Sequence, residues 1–107
     1  MSKLVGPNDW KVSRIPNIQS ESGETGTTIL ELKIGDVYLP YLGRHNARSL
    51  VDLLRKAGKG ASGGTVNIEG ETIRVEPVEG GVRVIAAGQW RMTVADANAL
   101  ADDISKG

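Results

Sequence analysis

Residues 27–34, TTILELKI, alternate apolar and polar side chains. Leu30, Leu32 and Ile34 fall on one face and Ile29, Glu31 and Lys33 on the other, the period-2 pattern of a half-buried strand. Gly35-Asp36 reads as a tight turn, so VYLPYL (37–42) is predicted to return antiparallel as a hairpin, with Pro40 marking an edge strand or a bend. Upstream, WKVSRI (10–15) reads as a short strand with Trp10, Val12 and Ile15 inward. Residues 1–9 read as an irregular lead-in, and PNIQSESGETG (16–26) as a turn-rich acidic loop. At Arg44 the period changes. Ala47, Leu50, Val51, Leu54 and Ala57 recur at i, i+3, i+4, i+7 and i+10, which predicts a helix over 44–58. Gly58 stands where a C′ glycine belongs, and GKGASGG (58–64) reads as a flexible connector.

The second half repeats the plan. TVNI (65–68), ETIRVEPV (71–78) and VRVIAA (82–87) are predicted strands joined by glycine turns at Gly70 and Gly80-Gly81; QWRM (89–92) is a candidate fourth. A helix follows from TVADANALADDISKG, where Thr93 and Asp96 have the spacing of a capping box. At an offset of 50, Ala47 falls on Ala97, Leu50 on Leu100, Asp52 on Asp102 and Lys56 on Lys106; the hairpins overlay at 45, with Gly35 on Gly80 and Val37 on Val82. The pattern predicts an α+β fold in a single domain, 1–107. Its antiparallel sheet carries two helices and is built from duplicated β-β-β-α units, 10–58 and 65–107, joined by the Gly-rich linker 58–64. In each unit the helix is expected to cover that unit's own sheet face. The competing reading is a chance likeness between two amphipathic helices.

Composition narrows the function. The 107 residues suit one domain with a modest core of Leu, Ile and Val; Phe is absent, and the only aromatics are Trp10, Trp90, Tyr38 and Tyr41. The two tryptophans read as core or interface residues. Thirteen basic residues balance thirteen acidic ones, which argues against a dedicated non-specific nucleic-acid binder. Cysteine is absent, which excludes disulfide scaffolds and thiolate metal sites. The start MSKLVGPNDWKV lacks the apolar run of a signal peptide and no stretch approaches a membrane span, so a cytoplasmic protein with no membrane partner is expected.

Enzyme chemistry finds no footing. His45 is the only imidazole, which leaves a hydrolase triad and the usual zinc set incomplete. Asp102-Asp103 and the Glu69, Glu71 pair read as solvated charge. GKGASGGT has a helix before it and a strand after it, the reverse of a phosphate-binding loop. The expectation is no enzyme, no catalytic residue, no metal and no cofactor.

One surface feature is not repeated. Around the first helix Arg44, Arg48, Arg55 and Lys59 form a narrow stripe opposite the apolar arc. Residues 44–60 hold five cations against Asp52, a net of +4, whereas 93–107 hold three aspartates against Lys106, a net of −2. At the three arginine positions the second helix has Val94, Asn98 and Ser105. Packing accounts for what the copies share, so the unshared stripe is the candidate partner-binding site, for phosphates or an acidic protein surface, the acidic second helix included, within the chain or across a dimer; a merely solvated face is the alternative.

The duplicated strands-then-helix plan over residues 10–106 resembles the whirly and Pur-type single-strand-binding folds. That resemblance implies a sheet face that grips nucleic acid. The chain departs from it in charge and in rings, because Glu31, Lys33, Tyr38, Arg74, Glu76 and Arg83, the expected outward positions, mix signs and offer one aromatic. The tail GQWRMTVADANALADDI resembles the endings of small actinobacterial and actinophage proteins, which implies an origin and no activity. The resulting expectation is a non-enzymatic interaction module that binds a protein partner through the basic helix. A homodimer is expected through Tyr38, Pro40 and Leu42, because VYLPYL is apolar on both faces and its excess face needs the 16–26 loop or a second chain to cover it. The alternative is a single-stranded nucleic-acid-binding protein using the sheet and the basic helix.

Overall fold

The computed structural model describes residues 3–17, 27–68 and 70–106. Strands β1 (Lys3–Leu4), β2 (Trp10–Asn17), β3 (Thr27–Ile34) and β4 (Val37–Tyr38) lead to helix α1 (Arg44–Gly58). Strands β5 (Gly64–Ile68), β6 (Glu71–Val78), β7 (Gly81–Ile85) and β8 (Gln89–Thr93) lead to helix α2 (Val94–Ser105). The chain is α+β with mostly antiparallel strand pairing. Most of the expected acidic loop, 18–26, and Glu69 lie outside the described residues.

The strands form two sheets, ordered β2-β3-β4 and β1-β8-β7-β6-β5. Part of the supposed irregular lead-in is β1, which pairs parallel with β8 through Lys3↔Trp90 and Leu4↔Arg91. Two residues are too short a run for periodicity to register. In the first sheet Trp10, Leu30, Leu32 and Ile34 are buried as the alternation predicts. Ile15 is not inward but exposed, because strand period places Arg14 with Trp10 and Val12.

Strand β4 is short because of Pro40. Leu39 still donates its N–H to the Leu32 carbonyl, then Pro40 and Tyr41 loop out, and Leu42 and Leu30 exchange both backbone bonds at 2.9 Å. Proline has no N–H for the ladder. The loop-out resets the alternation, so Leu39 and Leu42 both turn inward, at 4% and 0% exposure.

Helix α1 buries the five residues its period selects. Its C′ glycine is Gly60, at φ 77°, and not Gly58. The Gly60 N–H donates to Ala57 and the Ala61 N–H to Lys56, both at 3.0 Å, which is the Schellman arrangement. The end of the glycine-rich stretch is tightly packed: a Cβ at Gly63 would run into the Val75 carbonyl oxygen, and one at Gly64 would lie 2.6 Å from Leu53.

Helix α1 does not mainly cover its own sheet. It lies on β5, β6 and β7, with a smaller contact to β3, while α2 lies on β7 and β8 and against α1. The short link 59–63 leaves α1 beside the strand that follows it, and a sheet with a two-residue β4 offers it little area. The helices run in opposite senses, with Gly58 next to Val94 and Asn98. The inner face of the larger sheet supplies Val66, Ile68, Ile73, Val75, Val82, Val84, Trp90 and Met92 to a single core shared with both helices and the first sheet. Trp10 ties the smaller sheet to α2, its indole N–H donating to Asp103 Oδ2 at 3.0 Å, while Arg14 donates to the Asp103 carbonyl at 2.7 Å. From 41 to 56 the sequence of buried, half-buried and exposed positions is repeated without change from 91 to 106.

Candidate interaction surfaces

The outer face of α1 carries Arg44, Arg48, Asp52, Arg55, Lys56 and Lys59, all exposed. The four cations of the expected stripe divide by role. Arg55 donates to Asp102 Oδ1 of α2 at 2.9 Å, tying the helices together. With Lys56 it also sits in the last turn, where positive charge complements the helix dipole. Lys59 caps the C-terminus through its backbone N–H. Arg44 and Arg48 have no such explanation. Arg44 stands in the first turn, where the helix dipole disfavours a cation and no residue is acidic; Arg48 lies one turn further in, and neither makes an ion pair among the described residues. The N-cap is Gly43, which offers no side-chain acceptor. Helix α2 starts the opposite way: Thr93 Oγ1 accepts from the Asp96 N–H at 3.1 Å and Asp96 is the acid of its first turn.

A second basic feature lies on the outer face of the larger sheet. Register places Arg83 directly opposite Arg91, and Glu76 opposite Arg83 on the other side. Glu76 holds Arg83 at 3.1 Å and Arg74 at 3.6 Å. In that pose Arg83 Nε is buried without a hydrogen-bond partner. Like charges directly opposite destabilise a sheet, so this pair is not chosen by pairing energy. Among the described residues no aromatic ring shares this face.

The third feature surrounds the β4 loop-out. Glu31, Tyr38, Leu39, Pro40, Tyr41 and Glu71 line a shallow, wide-open groove of about 480 Å³. Tyr38 and Tyr41 are 61% and 58% exposed, whereas Trp10 and Trp90 are buried. The Lys33 ammonium lies 5.2 Å from the centre of the Tyr38 ring. Of the three residues expected at a dimer seam, Tyr38 is exposed, Pro40 half-buried and Leu42 closed inside the chain's own core. The loop-out turns Leu42 inward and leaves Tyr38 and Tyr41 exposed, so Leu42 is removed from the expected seam.

His45 is exposed on α1, and among the described residues no group of three or more His, Asp or Glu side chains is placed to hold a metal ion. No described helix is long and apolar enough to cross a membrane. Compared with family models, curated proteins and solved structures, the chain matches none.

Sequence reasoning placed the outward positions Arg74, Glu76 and Arg83 but missed the Arg83–Arg91 pairing, which needs the β7–β8 register. It also missed the approach of Glu71 to Tyr38 and Tyr41, which needs the placement of one sheet against the other. The available signal for Tyr41 was its position beside Pro40, where a looped-out residue loses its strand neighbours.

Proposed function

We propose that this protein is a non-enzymatic interaction module that docks an acidic protein surface on the N-terminal half of α1 through Arg44 and Arg48. The observation that carries the reading is that both cations are exposed and make no ion pair among the described residues, with Arg44 in the first turn, where the dipole disfavours it. The module descends from a duplicated β-β-β-α unit, a reading supported by the identical burial sequence of 41–56 and 91–106. After duplication the second copy kept the packing and lost the arginines.

A second reading, single-stranded nucleic acid on the larger sheet, is favoured by Arg74, Arg83 and Arg91 and by the opposed like charges of the last two. One titration separates the readings, using labelled poly-glutamate, a single-stranded oligonucleotide and a duplex at low and moderate salt. The docking reading expects poly-glutamate to bind through α1 and the oligonucleotide to bind no better. Tight oligonucleotide binding with a log–log salt slope near about −2, the value for three phosphate contacts on a single strand, selects the sheet reading instead.

A further inference from the structure

The groove beside the β4 loop-out has chemistry opposite to that of α1. Its lining brings together two tyrosines, Leu39 and Pro40, and its charged groups are the carboxylates of Glu31 and Glu71. These carboxylates come from different sheets, and neither makes an ion pair among the described residues. Two rings and two acids that make no ion pair among the described residues favour a cation over an anion, because the face of an aromatic ring is negative and attracts guanidinium or ammonium groups. The Lys33 ammonium already lies over Tyr38, so this ring accepts a cation from within the chain.

Shape decides what bears the cation. A volume of about 480 Å³ falls in the range of small-ligand pockets, but the site is open to solvent and cannot enclose a free amine. The groove thus carries two exposed tyrosines and a proline along one short stretch of chain. Aromatic-lined grooves accept extended proline-rich segments, which enter with their backbone already ordered. We infer that this groove is a second docking site, separate from α1, for an extended, arginine-bearing, proline-rich segment of a protein partner. The prolines lie on Tyr38 and Tyr41, and the arginine lies between the rings and the carboxylates of Glu31 and Glu71.

Anisotropy of a labelled proline-rich peptide carrying two arginines tests it, beside the same peptide with glutamates in place of the arginines. The full chain is expected to bind the first saturably and the second not at all. Tyr38→Leu, which keeps apolar area and removes the ring, weakens binding about threefold, the value of an exposed cation–π contact. Glu31→Gln with Glu71→Gln weakens it about tenfold through loss of charge-assisted bonds. Lys33→Met tightens it about twofold, because a competing cation is gone. Arg44→Val with Arg48→Asn leaves peptide binding unchanged, which keeps this site distinguishable from the α1 surface. Circular dichroism of each variant verifies the fold, and these side chains lie at the surface or are half-buried. Equal binding of the glutamate peptide overturns the inference. So does binding indifferent to Tyr38, Glu31 and Glu71, or light scattering that shows a dimer broken by the Glu31, Glu71 variant, which would make a second copy the occupant.

Discussion

Helices α1 and α2 are the same helix on the inside and opposite helices on the outside. Ala47, Leu50, Val51 and Leu54 have their counterparts in Ala97, Leu100, Ala101 and Ile104, and every one is buried. Their starts differ in kind. Helix α2 has a threonine cap and an acid in its first turn, both stabilising; α1 has a glycine cap and an arginine without an ion pair among the described residues. A shared core constrains both helices alike, so it cannot account for a difference confined to the surface. Stability alone would favour the α2 start twice. The α1 start is therefore the better place to look for selection on something other than folding.

The largest effect expected tests the shared interior. Leu50→Ala and Leu100→Ala should each cost about 2–5 kcal/mol in urea unfolding, since both side chains are 1% exposed in the common core. If one is costly and the other cheap, the two helices do not have equivalent packing and the comparison breaks.

Next in size is a half-buried position where α1 has an apolar residue and α2 an acid at the matching place. Leu53 packs by Gly64, whereas its counterpart Asp103 accepts the Trp10 indole N–H. Asp103→Leu, which gives α2 the α1 residue, should cost about 1–3 kcal/mol by orphaning that N–H in a part-buried site. Trp10 fluorescence should change with it. A neutral result would mean that the smaller sheet is held to α2 by apolar packing alone.

The helix starts give the smallest effects. Thr93→Ala should cost about 1 kcal/mol, the usual value of a lost cap. Gly43→Ser should gain a few tenths: the cap position is already extended at φ −72°, and nothing lies within 4 Å of an added Cβ. Thermal unfolding of the pair checks both signs. If Gly43→Ser destabilises, the backbone at 43 is doing something that the capping argument misses.

These differences also show what a pattern of hydrophobic residues can and cannot carry. Helix 44–58 and strand 27–34 were legible because their periods are sustained over several turns or alternations, and local periodicity is a property of the chain itself. Which sheet α1 would cover was not legible. Its apolar arc says that something is covered and leaves the partner open; the short link and the packed Gly63 and Gly64 decide in favour of β5, β6 and β7. Leu42 was misjudged because strict alternation was carried through Pro40, where the chain loops out and resets its faces. The basic stripe was visible as a charge pattern. Its division into Arg55, which serves the fold, and Arg44 and Arg48, which do not, required the position of Asp102 in space.

The most direct test of the central claim, that the arginines at the start of α1 serve a partner and not the fold, is a titration of labelled poly-glutamate with Arg44→Val/Arg48→Asn, the residues α2 holds at these positions. The account predicts a loss of about tenfold or more at low salt, since charge-assisted contacts are worth about 1.5–3 kcal/mol each, while Arg55→Ser stays within about twofold. Affinity equal to that of the unaltered protein would contradict it.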